Sequence, residues 1–431
     1  MSCTSAIRAI RKPPSPYLKL RSIPRRIALL SLSITAAALP LYIVRWHYGP
    51  LPTTLLETLI GITVIAYLVT LWSERRLPHA PNAWDIPIAL LLIAGVISIF
   101  DAPNRLAAAG IYRAYFVEAI ACYYIAIDLL RDRKDVTTFL LFAGTSSGVY
   151  AVGQIVSVLA AIAGHRLDLS AGPSFLNTSA NADAMYLEPP LAFALAFALF
   201  PSRPRERWLA GGLLAVLFVG LLLAFSRASY LAMAILAGVI VLSAQSRRWR
   251  LRAIAVLAVL ALVSLEIPII NRRFLTLADS VSNRESLYRQ ALQMLSHMPI
   301  TGAGIAGYST RVAPYRPPGA IIHIYPHDLW LTTWSEIGLL GVIAFAVIFF
   351  GALVRGARAL GTAGDISRPL LWGSVGTLIL WGVHGLFDTP YWKNDLSAEF
   401  WFALALQVVA IRLATAPPAR PSPSPSPPKP T

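Results

Sequence analysis

The sequence predicts an all-α, polytopic integral membrane protein with about 12 transmembrane helices and one long helical loop. Hydrophobic residues make up 56% of the 431 positions and charged residues only 13%, whereas soluble domains carry about 25% charge. Apolar runs such as LAGGLLAVLFVGLLLAF approach the roughly 20 residues that a helix needs to cross a hydrocarbon core. They lack the alternation of a barrel strand, and a helix pairs its own backbone groups in lipid.

The apolar runs divide the chain into predicted spans and connections. The spans lie near residues 27–44, 51–71, 86–100, 107–127, 137–162, 184–200, 208–225, 228–243, 253–270, 328–350, 370–387 and 396–413. This pattern predicts a basic N-terminal tail at residues 1–26, nine spans at 27–267 and a long loop with an amphipathic helix at 268–327. Three more spans follow at 328–413, and then a Pro/Ser-rich tail without fixed structure at 414–431.

The basic residues predict the orientation of these spans. Most of the 37 lysines and arginines fall in the N-terminal tail, in alternate short connections and in the C-terminal tail. Short connections rich in Lys and Arg stay in the cytoplasm, so both termini are predicted to be cytoplasmic and the long loop to lie on the opposite side. The net charge of +16 is therefore a topology signal. It does not predict a nucleic-acid partner, because no soluble basic face with base-reading residues accompanies it.

The long loop contains one stretch, NRESLYRQALQMLSHMP, in which apolar residues recur at a spacing of three to four. This periodicity predicts an amphipathic helix, and Pro299 is expected to end it. One interpretation is a surface helix whose arginines, among them Arg284 and Arg289, meet lipid headgroups. The other is a helix that brings an arginine to a functional site. The residues of the helix alone leave both interpretations open.

The segment GAGIAG at residues 302–307 matches a dinucleotide-binding fingerprint, and Asp328 follows at about the usual interval of 20 residues. That fingerprint has meaning only between a strand and the helix that follows it. Here the segment follows a predicted helix and a proline, and no predicted sheet adjoins it. We therefore interpret it as a flexible turn.

Histidines and aspartates form two groups that resemble fragments of a metal site. His323, His327 and Asp328 lie close together in the sequence, and His384 precedes Asp388 by four residues, which places both on one face of a predicted helix. Zinc sites in proteins usually take three or four converging ligands. Neither group has a further ligand at a standard spacing, so no metal site is predicted.

Polar side chains at the ends of predicted spans are stronger candidates. His327 begins the segment HDLWLTTWSEIGLLG, where the long loop re-enters the membrane, and an ionisable group at such a boundary is usually functional. Arg227, within Ser226–Ser229, interrupts a long apolar stretch on the side that is poor in positive charge. Arg113 and Glu118 lie in the fourth predicted span and are expected to pair inside the bundle, although a pore-lining role is open.

Together these segments resemble the O-antigen ligase and polymerase family of bacterial envelope glycosyltransferases. The likeness extends from about Phe225 to Leu406 and, more weakly, to the loop at residues 172–181. The family often has an asparagine where Asp328 stands, which leaves the local hydrogen bonding open. The matching motifs are Ser226-Arg227 at a span end, the helix of Arg284 with Pro299 and GAGIAG, His327 followed by Gly338-Leu339-Leu340-Gly341, and HGLFDTP at His384–Pro390.

The resemblance implies a glycosyltransferase of the bacterial inner membrane that needs no metal or cofactor and has a periplasmic active site. Its donor is expected to be a glycan on polyprenyl diphosphate, and its acceptor the lipid A-core, as in an O-antigen ligase. Arg227 and Arg284 are expected to bind the diphosphate, because guanidinium groups match phosphate geometry, and His327 to take the proton of the acceptor hydroxyl. Secondary site residues are expected to be Arg289, Asp328, His384 and Asp388.

Two other functions remain open at this stage. A repeat-unit polymerase would use the same donor and add it to a second lipid-linked glycan, so the two enzymes differ only in the acceptor. A transporter or flippase would suit many spans with a buried Arg113 and Glu118, but it predicts corresponding broken helices in two halves of the chain. The sequence shows no such pairing, and the polar residues gather in the second half.

Overall fold

The computed structural model describes residues 16–49, 51–78, 82–167, 174–177, 179–243, 247–248, 250–251, 254 and 277–415. About three quarters of the described residues are helical. The helices are α1 Pro16–Ala37, α2 Leu55–Glu74, α3 Asp85–Asp101, α4 Arg105–Tyr112, α5 Ala119–Leu129, α6 Arg133–Ala163, α7 Ala180–Leu199, α8 Pro204–Leu222, α9 Arg227–Ser243, α10 Leu277–His297, α11 Tyr308–Arg311, α12 Leu329–Ala359, α13 Ser367–His384 and α14 Asn394–Thr415. Short 3₁₀ turns lie at Leu39–Ile43 and Ala313–Tyr315, and a π-helical segment, Arg113–Glu118, joins α4 to α5.

A helix lies at every predicted span except the ninth, near 253–270, which falls outside the described residues apart from Ile254. Among the described residues, five helices are long and apolar enough to cross a membrane, namely α2, α6, α7, α12 and α14. An all-α membrane protein is thereby confirmed, while the count of about 12 spans stays a prediction. Helix α1 begins at Pro16, inside the predicted tail 1–26. The C-terminal tail lies outside the described residues beyond Thr415.

A two-stranded antiparallel hairpin follows the first helix, and the sequence analysis did not predict it. Strand β1 (Arg45–Tyr48) pairs with β2 (Leu51–Thr54). Thr54 then caps α2, because its side-chain oxygen accepts a hydrogen bond of 3.1 Å from the Glu57 amide. Such a cap satisfies one of the unpaired amides at a helix start.

Aromatic side chains fill the centre of the bundle, where α12, α13 and α14 meet. The ring of Phe400 lies nearly parallel to Phe349 and to Trp381, with an angle of 9° between the planes in each pair. Trp401 and Phe345 are buried beside them. Large rings that interlock in this way hold neighbouring helices at fixed distances, so the loops at the helix ends start from fixed positions.

Basic residues of the predicted cytoplasmic connections meet acidic residues at one end of the bundle. The Arg25 guanidinium lies 2.5 Å from the Asp135 carboxylate and therefore joins α1 to the start of α6. Further ion pairs at this end are Arg76–Asp128, Arg133–Glu206 and Arg133–Asp365. Connections that were predicted to share one side of the membrane are thus joined to one another, as the predicted topology requires.

Helix α12 is broken at Gly338, where φ is 70° and ψ is −175°. The break turns backbone groups out of the helix, and the segment after α10 pairs with them. The Leu339 amide donates to the Ile300 carbonyl at 2.9 Å, and the Ala303 amide donates to the Ser335 carbonyl at 2.5 Å. Irregular backbone at membrane depth is tolerated where protein satisfies its polar groups, so the loop and the broken helix stabilise each other.

The GAGIAG segment is the part of the loop that enters this break. It forms the predicted turn, with Gly302 and Gly304 at positive φ, but it is packed tightly rather than flexible, since Ala303 and Ile305 are fully buried. The Glu336 carboxylate accepts a hydrogen bond of 2.5 Å from the Ala306 amide. A side chain on the next span thus holds the turn, and this contact was not visible in the sequence.

Replacing Gly338 with alanine is expected to destabilise the protein by about 1–3 kcal/mol, because alanine at positive φ is strained and its Cβ would collide with the Ile300 carbonyl oxygen. The measurement is the thermal unfolding midpoint in detergent. The matched control is Gly212→Ala in α8, where open space surrounds the glycine; this change should leave the midpoint unchanged or raise it slightly. Equal midpoints for the two variants would contradict the role of the break.

Candidate active site

His327 stands at the point where the long loop enters α12, and its backbone is held in an unusual conformation. Its φ is +56°, a value that non-glycine residues adopt rarely and often at functional sites. The Tyr288 hydroxyl of α10 donates to the Leu386 carbonyl at 2.6 Å and lies 3.3 Å from the His327 carbonyl oxygen. The next turn is fixed as well, since the Leu329 amide donates to the Gly385 carbonyl at 2.7 Å. Neighbouring elements therefore determine where the imidazole lies.

The imidazole of His327 faces the carboxylate of Asp388, with 3.1 Å between Nδ1 and Oδ1. The carboxylate is buried and accepts two more hydrogen bonds, from the Asn181 side-chain amide and from the Thr389 backbone amide, each at 2.9 Å. An ionised carboxylate only accepts hydrogen bonds, so Nδ1 of His327 carries the proton and donates it. The other ring nitrogen, Nε2, then has a lone pair.

The environment of Asp388 keeps its carboxylate ionised. Burial raises the pKa of Asp388, but the hydrogen bond and charge of His327, the charge of His384 and the Asn181 hydrogen bond outweigh it and lower the pKa to about 2. Hydrogen bonds and nearby positive charge both favour the charged form of a carboxylate. Asp388 therefore orients the imidazole of His327 across the whole neutral range of pH.

Arg284 reaches the same segment from α10. Its Nε donates to the Phe387 carbonyl at 2.9 Å, and its guanidinium lies 5.8 Å from the centre of the Phe387 ring. The predicted amphipathic helix is present, and it ends at His297, before Pro299. Its buried face packs against protein rather than lipid, through a cluster of Ala291, Met294, Leu295, Ala303, Tyr308 and Val312. The structure thus brings Arg284 beside the residue that precedes Asp388.

Arg227 is the first residue of α9 and is half-buried. Two residues later, the Ser229 hydroxyl lies 3.3 Å from Nδ1 of His384. His384 is fully buried, and its Nδ1 lies 2.7 Å from the Glu188 carboxylate on α7. The start of α9 is therefore fixed against the end of α13. Arg227, Arg284 and His327 all stand on elements that contact residues 384–388, which we call the convergence segment.

The secondary site residues named from the sequence have different surroundings. Asp328 caps α12, because its carboxylate accepts a hydrogen bond of 2.7 Å from the Leu331 amide. Arg289 pairs with Glu285 at 2.8 Å, and both side chains are about two-thirds exposed, so this pair contributes little stability. A role for Arg289 or Asp328 in catalysis stays a prediction.

His384 and Asp388 do not share a helix face as the sequence spacing predicted. Helix α13 ends at His384, and Asp388 lies in the turn that follows, where its amide donates to the His384 carbonyl at 3.0 Å. The two side chains consequently have different partners: His384 is directed to Glu188 inside the bundle, and Asp388 to His327 at its end. Within the described residues, no three of the His, Cys, Asp and Glu side chains gather as a metal site would require.

Asn181, Glu188 and His323 also belong to this region, and the sequence analysis gave none of them a role in the site. Asn181 lies in the first turn of α7, at the end of the stretch that resembled the family only weakly, and its partner Asp388 is 207 residues away. Arg113 and Glu118 form an ion pair at 3.2 Å, and Arg113 also lies 2.5 Å from Glu57. The expected pairing of Arg113 inside the bundle is therefore confirmed.

Residues 191–346, more than a third of the chain, match the family model of the O-antigen ligases. This part of the chain is therefore similar to an O-antigen ligase domain. The match confirms the resemblance found in the sequence and supports an enzyme of the O-antigen ligase or polymerase type that handles lipid-linked glycans in a membrane. The matched stretch includes Arg227, Arg284 and His327 and ends before the convergence segment. A comparison with curated proteins gave no match.

The low pKa of Asp388 predicts a pH dependence of stability. Because the pKa is about 2 in the folded protein and about 4 in an unfolded chain, the stabilisation is complete above pH about 4 and is lost as the pH falls through 2. Between pH about 5 and 2, the unmodified protein should lose about 2 kcal/mol that Asp388→Asn does not lose. Thermal unfolding of both proteins across this range measures the difference. Parallel losses in the two proteins would refute the assignment.

Proposed function

We propose that this protein transfers a glycan from polyprenyl diphosphate to an acceptor hydroxyl on the periplasmic side of the bacterial inner membrane, most simply as an O-antigen ligase acting on lipid A-core. The observation that carries the proposal is the meeting of Arg284 and the His327–Asp388 pair at the convergence segment. The guanidinium of Arg284 can bind a diphosphate, and the imidazole of His327 can take the proton of a hydroxyl. A glycosyl transfer needs both within one site.

The positive charges act on the leaving group. When the bond between the anomeric carbon and the diphosphate oxygen breaks, negative charge develops on the diphosphate. Arg284 and Arg227 stabilise that charge, because guanidinium groups stay ionised and bind phosphate oxygens in a bidentate manner. Arg227 also lies at the N-terminus of α9, where the helix dipole is positive and favours an anion. In this proposal the protein itself supplies the charge that a metal ion supplies in other transferases.

The imidazole of His327 receives the proton of the acceptor hydroxyl as its oxygen attacks the anomeric carbon. Asp388 holds Nδ1 in its protonated form, which leaves Nε2 as the basic nitrogen. The imidazolium that forms is then stabilised by the buried carboxylate. Attack from the face opposite the diphosphate would invert the configuration of the sugar, as the family resemblance implies.

The acceptor distinguishes a ligase from a polymerase, and a reconstitution experiment identifies it. Purified protein in vesicles receives a polyprenyl-diphosphate glycan together with either lipid A-core or a second lipid-linked glycan. We expect product on lipid A-core, visible as a shift in gel mobility. Elongated lipid-linked chains instead would assign the protein as a polymerase. Failure of transfer to both acceptors would contradict the proposed function.

Replacing His327 with alanine should lower the rate of transfer by about 10²- to 10⁴-fold, the usual contribution of a general base. The Michaelis constant for the donor should change little, because the diphosphate is bound by arginines. The control is His297→Ala, which removes a histidine from the exposed end of α10 and should leave the rate unchanged. An unaltered rate in the His327 variant would exclude a role for this imidazole in proton transfer.

Replacing Arg284 with lysine should impair transfer nearly as much as replacing it with alanine. Lysine retains the charge, but it has no second donor group with which to hold the Phe387 carbonyl and a phosphate oxygen in fixed geometry. Initial rates at saturating acceptor and varied donor measure the effect. Arg105→Lys in α4 is the matched control, because this arginine is exposed and has no predicted role in the site. If Arg284→Lys keeps full activity, only the charge at this position matters.

A further inference from the structure

A second imidazole lies against His327. Nδ1 of His323 is 3.2 Å from Nε2 of His327, and the two rings meet edge to face with centres 5.1 Å apart. The pair lies at the end of a hydrogen-bonded chain that begins at the Asp388 carboxylate. The nitrogen of His327 that should accept a proton is therefore already occupied by a protein group.

The protonation states of this chain follow from its buried end. The Asp388 carboxylate accepts from Nδ1 of His327, so Nε2 of His327 has a lone pair and must itself accept. Nδ1 of His323 is the nitrogen that faces Nε2 of His327, so the hydrogen of this bond must be on Nδ1 of His323. In a neutral imidazole with Nδ1 protonated, Nε2 has no hydrogen. The basic nitrogen of the resting pair is consequently Nε2 of His323.

The segment that carries His323 is open to its surroundings. Ile321, Ile322 and Ile324 on either side of it are all exposed, whereas Asp388 is buried. Burial lowers the pKa of His323, which keeps its ring neutral near pH 7. His323 thus joins the buried end of the chain to the outside, where an acceptor arrives.

We infer that His323 and His327 form a two-imidazole proton relay in which Nε2 of His323 takes the proton from the acceptor hydroxyl; this inference rests on the proposed function. As the acceptor oxygen bonds to the anomeric carbon, the bond from that carbon to the diphosphate oxygen breaks, and its electron pair stays on the diphosphate. The acceptor proton moves to Nε2 of His323, and the Nδ1 proton of His323 moves to Nε2 of His327. The positive charge ends on His327, beside Asp388.

The relay moves the positive charge from the half-buried ring of His323 to the ring that has a carboxylate partner. An imidazolium at His323 would lack a carboxylate partner at hydrogen-bond distance among the contacts described for it, whereas His327 has the ionised Asp388 at 3.1 Å. Opposite charge within this distance favours the protonated form. His323 is therefore the group that meets the substrate, and His327 is the group that stores the charge.

Two variants of His323 separate a relay from a positioning role. Glutamine can still donate a hydrogen bond to Nε2 of His327, but it cannot take up a proton. We expect both His323→Gln and His323→Ala to lower the transfer rate by at least about tenfold, with the donor Michaelis constant unchanged and with partial recovery of His323→Ala in added imidazole. His297→Ala, at an exposed histidine outside the site, should match the unmodified protein.

Three results would overturn the relay while the proposed function stands. The first is a His323→Ala rate equal to that of the unmodified protein. The second is an active glutamine variant beside an inactive alanine variant, which would reduce His323 to a positioning residue. The third is loss of activity in EDTA with recovery in Zn²⁺, which would assign the two imidazoles to a metal. If the unmodified protein transfers no glycan to either acceptor, the proposed function fails instead.

Discussion

The hydrogen bond between His327 and Asp388 joins two parts of the chain that are 61 residues apart, and the rest of the site is arranged around it. Asp388 belongs to the convergence segment that ends α13. The same short stretch contacts Arg284 of α10 through Phe387, Ser229 at the start of α9 through His384, and Asn181 in the first turn of α7 through Asp388. Four separate elements thus take their positions from one turn of backbone.

An ionised carboxylate that is removed from water is costly unless hydrogen bonds and opposite charge compensate it. At Asp388 three donors do so, and one of them is the imidazole whose orientation the chemistry requires. A related compensation operates at the break in α12, where the loop after α10 supplies partners for the backbone around Gly338. Loop and bundle are therefore packed together. Helix α10, which carries Arg284, is held by the contact of Arg284 with Phe387 and by the pairing of the segment after α10 with the break in α12.

What the sequence predicts well is determined locally. The helices follow from the length of the apolar runs, and the end of α10 follows from Pro299. The roles of His327 and Arg284 stay predictions that rest on their places in a recognisable order of motifs. The break at Gly338, the burial of GAGIAG and the Asn181–Asp388 contact depend on partners far along the chain, and a single sequence does not display such pairings. The sequence places His323 near His327, but the spacing of the two histidines suggests only an incomplete metal site. Their hydrogen bond is visible only in the structure.

An experimental structure with a polyprenyl-diphosphate glycan bound in a lipid nanodisc tests the central claim most directly. The diphosphate should lie between Arg227 and Arg284, with the anomeric carbon facing the pair of imidazoles beside Asp388. A diphosphate bound instead at the opposite end of the bundle, among the ion pairs of Arg25, Arg76 and Arg133, would contradict the account. A bound donor that left Arg284 and His327 on separate surfaces would contradict it equally.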